Sequence, residues 1–349
     1  MKDKKILAMM LAGVLTLSAC ASVGNNSSSA DSSPTDSQSA SGNSSSDSSS
    51  KPQEQYVEAI RDPNFQNGFA LSGNDRATDG VLPIGELKYG NGNPVWQVGQ
   101  WGSRYDLTEG TQTITDKMAL VQDTAKKLQA NRTTNTLTLE VMGSLEYDEM
   151  KDSRTMWAHL LIEQGFVDFT SYRLSDFKRL EASVDFSVKM ANKGAIETKD
   201  PDGAFPAPKT LPAQFLQYFY VQNRNAESAG FGNFLWFGLG FLDTRHESLP
   251  LSYLQDHAGG VAGNYIYCLG AETVLGPGAF QIGKTYNVNI DILPHIQEAL
   301  LKAQEHGFML NTTLEDCTIT GMNIGWEVVG AWDVRSEIKN LSLKGFLNE

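Results

Sequence analysis

The residues best suited to chemistry lie between Gln214 and Arg245, where aromatic and amide side chains are interleaved. Sugars present apolar ring faces and hydroxyl edges, so proteins hold them with aromatic platforms and with amide, carboxylate and guanidinium groups. An alternative is that these aromatic residues form a hydrophobic core and the amides flank it. We predict sugar contacts from the following residues of this stretch: Gln217, Tyr218, Tyr220, Gln222, Asn223, Trp236, Asp243 and Arg245.

A second candidate group lies in a possible loop at residues 94–106. Trp96, Trp101 and Arg104 fall within ten residues of one another, and loops carry many ligand sites. We expect these three residues to contribute to the same ligand site. The alternative is that Trp96 and Trp101 close the ends of the core.

Acidic residues leave a catalytic function open. A glycosidase needs two carboxylates at opposite sides of the scissile bond, and the candidates are Glu140, Glu146, Glu163, Asp185, Asp243 and Glu327. Glu163 has apolar neighbours in the sequence, so we expect a largely buried carboxylate. A buried structural ion pair, such as Glu163 with Arg224 or Arg245, is the simpler explanation and is preferred here. A lyase set of His159, Tyr218, Arg224 and Arg245 is the other catalytic alternative.

Other catalytic and cofactor signatures are missing from the sequence. It has no Gly-x-Ser-x-Gly elbow, no dinucleotide-binding glycine pattern and no phosphate loop. We therefore predict no cofactor and no metal site, with a structural calcium at Asn74, Asp75 and Asp79 as the alternative. Cys268 and Cys317 either form a disulfide or are buried free thiols.

The N-terminus indicates export and attachment to a membrane. Residues 1–19 combine three lysines with an apolar run that is too short to span a bilayer. Cys20 follows small residues, a pattern that resembles bacterial lipoprotein signals, and so it is predicted to carry a lipid. Residues 21–50 contain 15 serines, which is typical of a flexible linker. We expect the protein on the extracellular face of the cell membrane, with its folded domain at residues 51–349.

The elements that must position these residues are mostly strands. From residue 134 onward, short runs of β-branched and aromatic residues alternate with turn-forming residues. The predicted strands are 136–141, 155–162, 180–190, 213–221, 234–242, 265–269, 285–290, 318–327 and 332–343. Residues 294–306 predict a surface helix with a glycine after its end, and 116–130 is either a helix or a strand pair turning near Asp123. The predicted fold is all-β: a two-sheet antiparallel jelly-roll sandwich with one or two short surface helices.

The chain resembles the concanavalin A-like jelly rolls of bacterial carbohydrate-binding modules and glycan-active enzymes. The resemblance rests on residues 214–245, 157–164 and 320–343, and it extends over about residues 60–346. It implies contact with a glycan, and it implies that an opening strand such as 65–71 lies near the C-terminal strand.

The net charge and composition of the chain limit which ligands and partners it can bind. The chain of 349 residues has a formal charge of −13, which disfavours nucleic acid as a partner. Its 40% hydrophobic residues can bury a large core. We therefore predict a surface lipoprotein that binds a glycan or polysaccharide. A polysaccharide-degrading enzyme on the same scaffold and an adhesive or structural module without a small ligand are the alternatives.

Overall fold

Alternating apolar and polar residues give most of the chain the form of strands with one buried face. The computed structural model describes residues 54–74, 83–147, 157–195, 211–256 and 264–349. In the strand Phe177–Lys193, Leu180, Ala182 and Val184 are buried, whereas the residues between them are partly exposed. A period of two is the geometry of a pleated strand. The strand predicted at residues 180–190 is confirmed there.

The strands form two sheets. The eight-stranded sheet contains β1 (Tyr56–Glu58), β5 (Thr111–Ile114), β6 (Met118–Gln122), β7 (Lys126–Asn131), β8 (Thr136–Met142), β10 (Phe177–Lys193), β15 (Tyr286–Asp291) and β17 (Trp332–Leu347). The nine-stranded sheet contains β2 (Gly68–Ser72), β3 (Pro83–Lys88), β4 (Trp96–Gly99), β9 (Ala158–Gly165), β11 (Ala213–Asn223), β12 (Phe234–Asp243), β13 (Ser252–Asp256), β14 (Asn264–Leu269) and β16 (Cys317–Val328).

A shared aromatic core joins the two sheets. Phe186 on β10 contacts Phe215 on β11 and Phe241 on β12, with ring centroids 5.3 and 4.5 Å apart. Trp326 is fully buried, and its indole nitrogen donates to Ser336 Oγ of the opposite sheet at 3.0 Å. The molecule is therefore the predicted two-sheet sandwich.

Strand order differs from the prediction in two details. Most neighbouring strands are antiparallel, but β2 pairs with β4 and β12 pairs with β14 in parallel. The strand expected at 65–71 is β2, which lies in the nine-stranded sheet and not beside the C-terminal strand. The partner of the C-terminal strand is β1, in which Tyr56 pairs with Phe346. The nine-stranded sheet runs in the order β13-β14-β12-β11-β16-β9-β4-β2-β3.

Helices are few among the described residues. They are α1 (Gly143–Glu146), α2 (Ala271–Leu275) and α3 (Leu293–Glu305). The last confirms the predicted helix, with Ile296 and Leu300 buried and Leu301 58% exposed. Residues 116–130 form the strand pair β6–β7 with its turn after Asp123, so the strand alternative is the correct one. No helix of the described chain is long and apolar enough to cross a membrane.

Both described cysteines are free and buried, which confirms the interpretation as free thiols. Burial raises the pKa of Cys268 and of Cys317 to about 12. The carboxylates of Glu327 and Asp243 add to the rise at Cys268.

Candidate functional site

The solvent side of the nine-stranded sheet brings together most of the aromatic residues that sequence patterns single out. Cross-strand register fixes the order of residues across this side. Tyr218 pairs with Gly238 on β12 and with Asn323 on β16, and Asn323 pairs in turn with Glu163 on β9. We call this surface the aromatic face, defined by Trp101, Trp157, Tyr218, Tyr220, Phe234 and Trp236, all half-buried.

Three of these rings lie over glycines. A Cβ atom added to Gly99 would be 2.2 Å from the Trp101 ring, and one added to Gly238 would be 2.6 Å from the Tyr218 ring. A Cβ atom on Gly321 would be 3.0 Å from the Tyr220 ring. The missing side chains let each ring pack against the backbone of the sheet. The sheet thereby supports one side of each ring.

Four rings form a continuous cluster on β11 and β12. Trp236 is in edge contact with Tyr220 and Phe234, with centroids 4.9 Å apart in both pairs, and with Tyr218 at 5.9 Å. The indole nitrogen of Trp236 is buried and has no hydrogen-bond partner within the described residues. The cluster is an aromatic platform in which the Trp236 donor has no partner among the described residues.

Polar groups adjoin this platform. Tyr220 donates to Glu163 Oε2 at 3.4 Å, and Asn323 hydrogen-bonds to the same hydroxyl. Burial raises the pKa of Tyr220 well above 10, and the nearby Glu163 carboxylate raises it further. Tyr220 is therefore protonated at neutral pH. Asn323 is buried, and its side-chain oxygen has no hydrogen-bond partner among the described residues.

A second aromatic group lies on the same side of the sheet as this platform. The His159 ring lies between Trp101 and Trp157, with centroid distances of 5.1 and 5.8 Å. Its Nδ1 is 3.0 Å from the Trp101 carbonyl oxygen. His159 pairs with Glu327 on β16, and Glu327 pairs with Gln214 on β11, so this group lies four residues along β11, or about 13 Å, from the row of Tyr218. Leu161 and Gly325 lie between them in the floor of the sheet.

One end of the aromatic face carries charged residues. Arg245 makes a bidentate ion pair with Asp243, whose Oδ2 also accepts from Gln214 Nε2 at 2.8 Å. In the structure Arg245 pairs with Asp243, whereas the sequence suggested Glu163 as its partner. Glu327 is the cross-strand neighbour of Gln214 and of His159.

Several predicted ligand residues lie elsewhere. Trp96 is only 1% exposed, contacts Phe65 and donates to the Asp62 carbonyl oxygen. Gln217 is also 1% exposed and points into the core, because odd positions of β11 face the other sheet. Both are core residues.

The remaining predicted residues lie at the margins of the aromatic face. Asn223 is fully buried and donates to Ser228 and Thr312, so it holds the turn between β11 and β12. Gln222 is beside Phe234 at the far end of the face. Arg104 is exposed and lies over Tyr105, three residues beyond Trp101.

Sequence patterns missed two rings of the aromatic face and two polar residues beside it. Phe234 and Trp157 belong to its ring groups, and Gln97 and Asn323 lie in the same cross-strand row as Glu163. The glycines at 99, 238 and 321 were an available signal, because glycine inside a strand marks a close approach.

The part of the chain that the structure describes offers no metal centre at this site. No group of three or more His, Cys, Asp or Glu side chains among the described residues is arranged to hold a metal ion. Asn74 of the proposed calcium loop donates to the Ser103 carbonyl oxygen at 3.3 Å, while Asp75 and Asp79 lie outside the described residues.

Among the described residues, two cavities that lie away from the aromatic face are notable. One, of about 490 Å³, lies beside Arg104 and Tyr105. The other, of about 430 Å³, lies between the β11–β12 turn and the loop after α3, and it includes Asn233 and Leu310.

Comparison with known proteins gives only a distant structural likeness. No family model and no curated protein matches the chain. A family 11 xylanase from Neocallimastix patriciarum aligns at TM-score 0.37 and 9% identity, covering 69% of this chain and 96% of its own. A family 12 xyloglucanase from Bacillus licheniformis aligns at TM-score 0.38 and 12% identity, covering 67% and 96%. The xyloglucanase domain of NopAA from Sinorhizobium fredii aligns at 0.34 and 9%, covering 69% and 100%. Likenesses of this strength do not assign the chain to a family.

Proposed function

We propose that the aromatic face binds a neutral polysaccharide. The observation that carries the proposal is the set of half-buried rings lying over glycines at Gly99, Gly238 and Gly321, beside amide and carboxylate groups. A sugar ring can stack on the side of such a ring that the sheet leaves open, while its hydroxyls bond to the polar groups. The unpartnered Trp236 donor and Asn323 acceptor match a hydroxyl, which both donates and accepts. Neighbouring side chains cover both atoms, so a ligand would reach them only after a side-chain shift.

Charge favours a neutral ligand. The chain carries −13 overall, and Glu163, Glu327 and Asp243 bring acidic groups to the face. Arg245, the cation at that end, is already paired with Asp243. A polyuronate would be repelled by this surface.

The proposed location is the outer surface of a bacterial cell. Cys20 would carry the lipid, and the serine-rich residues 21–50 would hold the sandwich away from the membrane. Replacing Cys20→Ser should release the protein from the membrane fraction into the medium. A protein that stays membrane-bound after this change would contradict lipid attachment at that cysteine.

Affinity electrophoresis tests the binding proposal. The full chain should be retarded in gels that contain xyloglucan, xylan or mannan, and not in gels with polygalacturonate. Trp236→Ala and Tyr218→Ala should each weaken retardation at least tenfold, because each removes part of the platform. The control is Lys189→Ala with Glu337→Ala, a pair on the other sheet, which should leave retardation unchanged.

Two results would overturn this proposal. Absence of retardation in every neutral gel would support an adhesive or structural module without a sugar ligand. Equal retardation of the tryptophan variant and of the unaltered protein would place any sugar contact elsewhere.

Hydrolysis is the second candidate function, because two glutamates share the aromatic face on adjacent strands. Glu163 pairs with Asn323, whereas Glu327 pairs with His159, four residues along the same ladder. Strand geometry places their Cα atoms about 14 Å apart. Glycosidase carboxyl groups lie ~5–9.5 Å apart, so both side chains would have to lean towards each other over Gly325. Binding without cleavage is therefore preferred.

Product analysis separates the two candidates. Incubation with the retarding polymer should release no new reducing ends if the protein only binds. Release that disappears in both Glu163→Gln and Glu327→Gln, with gel retardation kept, would instead establish a hydrolase.

A further inference from the structure

The 490 Å³ cavity beside Arg104 has the size and lining of a sugar site. Its volume is within the ~300–1,000 Å³ range of small-ligand sites. Its walls provide a guanidinium, a phenol ring, amides, hydroxyls and carboxylates. The lining includes Asn74, Arg104, Tyr105, Asp106, Asp123 and Thr124.

A buried ion pair fixes one wall of this cavity. Lys126 and Glu146 have fully buried side chains, with the ammonium 3.1 Å from Glu146 Oε1. Glu146 Oε2 accepts the Arg104 backbone N–H at 2.6 Å, and Lys126 donates to the Tyr105 carbonyl oxygen at 2.6 Å. Both charges therefore hold the segment that carries Arg104 and Tyr105. Buried pairs are costly to desolvate, and their best-attested use is to specify one conformation.

The same segment links the cavity to the aromatic face. Trp101 lies on the face, and Arg104 lines the cavity three residues later, a reach of about 10 Å. Gly102 donates to the Asn74 carbonyl oxygen, and Ser103 donates to the His159 carbonyl oxygen. The loop is thereby tied to the edge of the aromatic face at one side and to the cavity wall at the other.

The mixed charge of the lining indicates a neutral ligand. Arg104 faces a cavity that also contains Asp106, Glu109 and Asp123. An anionic sugar would meet these carboxylates and a cationic one would meet the guanidinium. Hydroxyl groups can bond to both kinds of side chain.

From these observations we propose that the cavity beside Arg104 is an extension subsite, which takes sugar units of the same neutral chain beyond Trp101. This proposal rests on the proposed function and deepens it: the ligand is a linear chain long enough to pass Trp101 and enter the cavity. Affinity should therefore rise with chain length, and this rise should depend on the cavity.

Titration calorimetry with cello- and xylo-oligosaccharides, from disaccharide to hexasaccharide, tests the subsite on the full chain. The unaltered protein should bind the hexasaccharide at least tenfold more tightly than the disaccharide. Thr124→Trp, at an exposed turn position, would fill the cavity and should remove that difference while leaving disaccharide affinity unchanged. Arg104→Ala should reduce the difference without filling the space.

A matched control fills the other cavity. Leu310 is 50% exposed and lines the separate 430 Å³ cavity, so Leu310→Trp should keep the full length dependence. Thermal melting checks that both tryptophan variants are folded.

The possible outcomes separate the subsite from the proposed function. If oligosaccharides bind and Thr124→Trp keeps the preference for long chains, the subsite proposal is wrong and the binding face stands. Equal loss in Leu310→Trp would also overturn the subsite. If no oligosaccharide binds the unaltered protein, both the subsite and the proposed function fail.

Discussion

The outer faces of the two sheets share one backbone geometry and differ in almost everything else. On the eight-stranded sheet the outward residues form ion pairs, including Lys127 with Glu140 at 2.9 Å and Lys189 with Glu337 at 3.0 Å. Asn340 donates to Asp185 at 2.7 Å on the same side. We call this surface the charged face.

The aromatic face has rings and glycines in place of these ion pairs. Trp101, Tyr218 and Tyr220 lie over Gly99, Gly238 and Gly321. A surface that only meets water does not need exposed rings supported by the backbone. Strand alternation thus determines which residues point outward on both sheets. The types of those side chains determine whether the surface suits water or a ligand.

The largest loss of stability is expected when a side chain is added at Gly325, a glycine of the sheet that carries the aromatic face. Gly325 has φ +151°, and an added Cβ would be 2.3 Å from the Leu160 carbonyl oxygen. Gly325→Ala should therefore lower the free energy of unfolding by about 2–3 kcal/mol, as measured by urea denaturation.

Gly165 provides the matched control on the same side of the sheet. A Cβ there would have no neighbour within 4 Å, so Gly165→Ala should change stability by less than about 0.5 kcal/mol. Equal stability losses in the two variants would contradict the importance of close approach at Gly325.

An intermediate effect is expected from Tyr220 at high pH. Because its folded-state pKa is raised above 10, the folded protein keeps a proton that the unfolded chain releases above pH 10. Stability is therefore fully present below pH 10 and falls as pH rises, by up to ~1.4 kcal/mol per pH unit from this residue. Tyr220→Phe should make the decline shallower in denaturation measurements at several pH values. An unchanged slope would contradict the burial of this hydroxyl.

The smallest effect is expected on the charged face. Lys189 and Glu337 have side chains that are 32% and 43% exposed, and ion pairs of this kind contribute ~0–1 kcal/mol. Lys189→Ala should therefore change the free energy of unfolding by less than about 1 kcal/mol, and by less still in high salt. A loss as large as that of Gly325→Ala would show that the charged face is not simply solvated.

Local sequence patterns predicted a strand or helix well where the periodicity of its own residues was sufficient. The strand predicted at residues 180–190 is β10, and the helix predicted at 294–306 is α3. In the strand predicted at 213–221, a period of two puts Tyr218 and Tyr220 on one side of β11. These inferences needed only periods of two or 3.6 residues.

The site could be predicted only in part, because its composition depends on pairing between distant strands. Trp96 and Trp101 both belong to the candidate group at residues 94–106, and no local pattern distinguishes them. In the structure Trp96 pairs with Phe69 inside the core, whereas Trp101 lies past the end of β4. Asn323 joins the face only through its register with Tyr218 and Glu163. Gln217 was predicted as a ligand contact, since no local signal told which side of β11 would meet the other sheet.

The short ladder between β1 and β17 pairs the first and last of the described strands. Tyr56 and Phe346 are cross-strand partners, so the first and last strands meet about 5 Å apart. A brief peptide bridge across this junction would make the sandwich circularly permutable, with fresh ends opened in an exposed turn such as that after Asp123. Both β1 and β17 belong to the eight-stranded sheet, which lies opposite the rings.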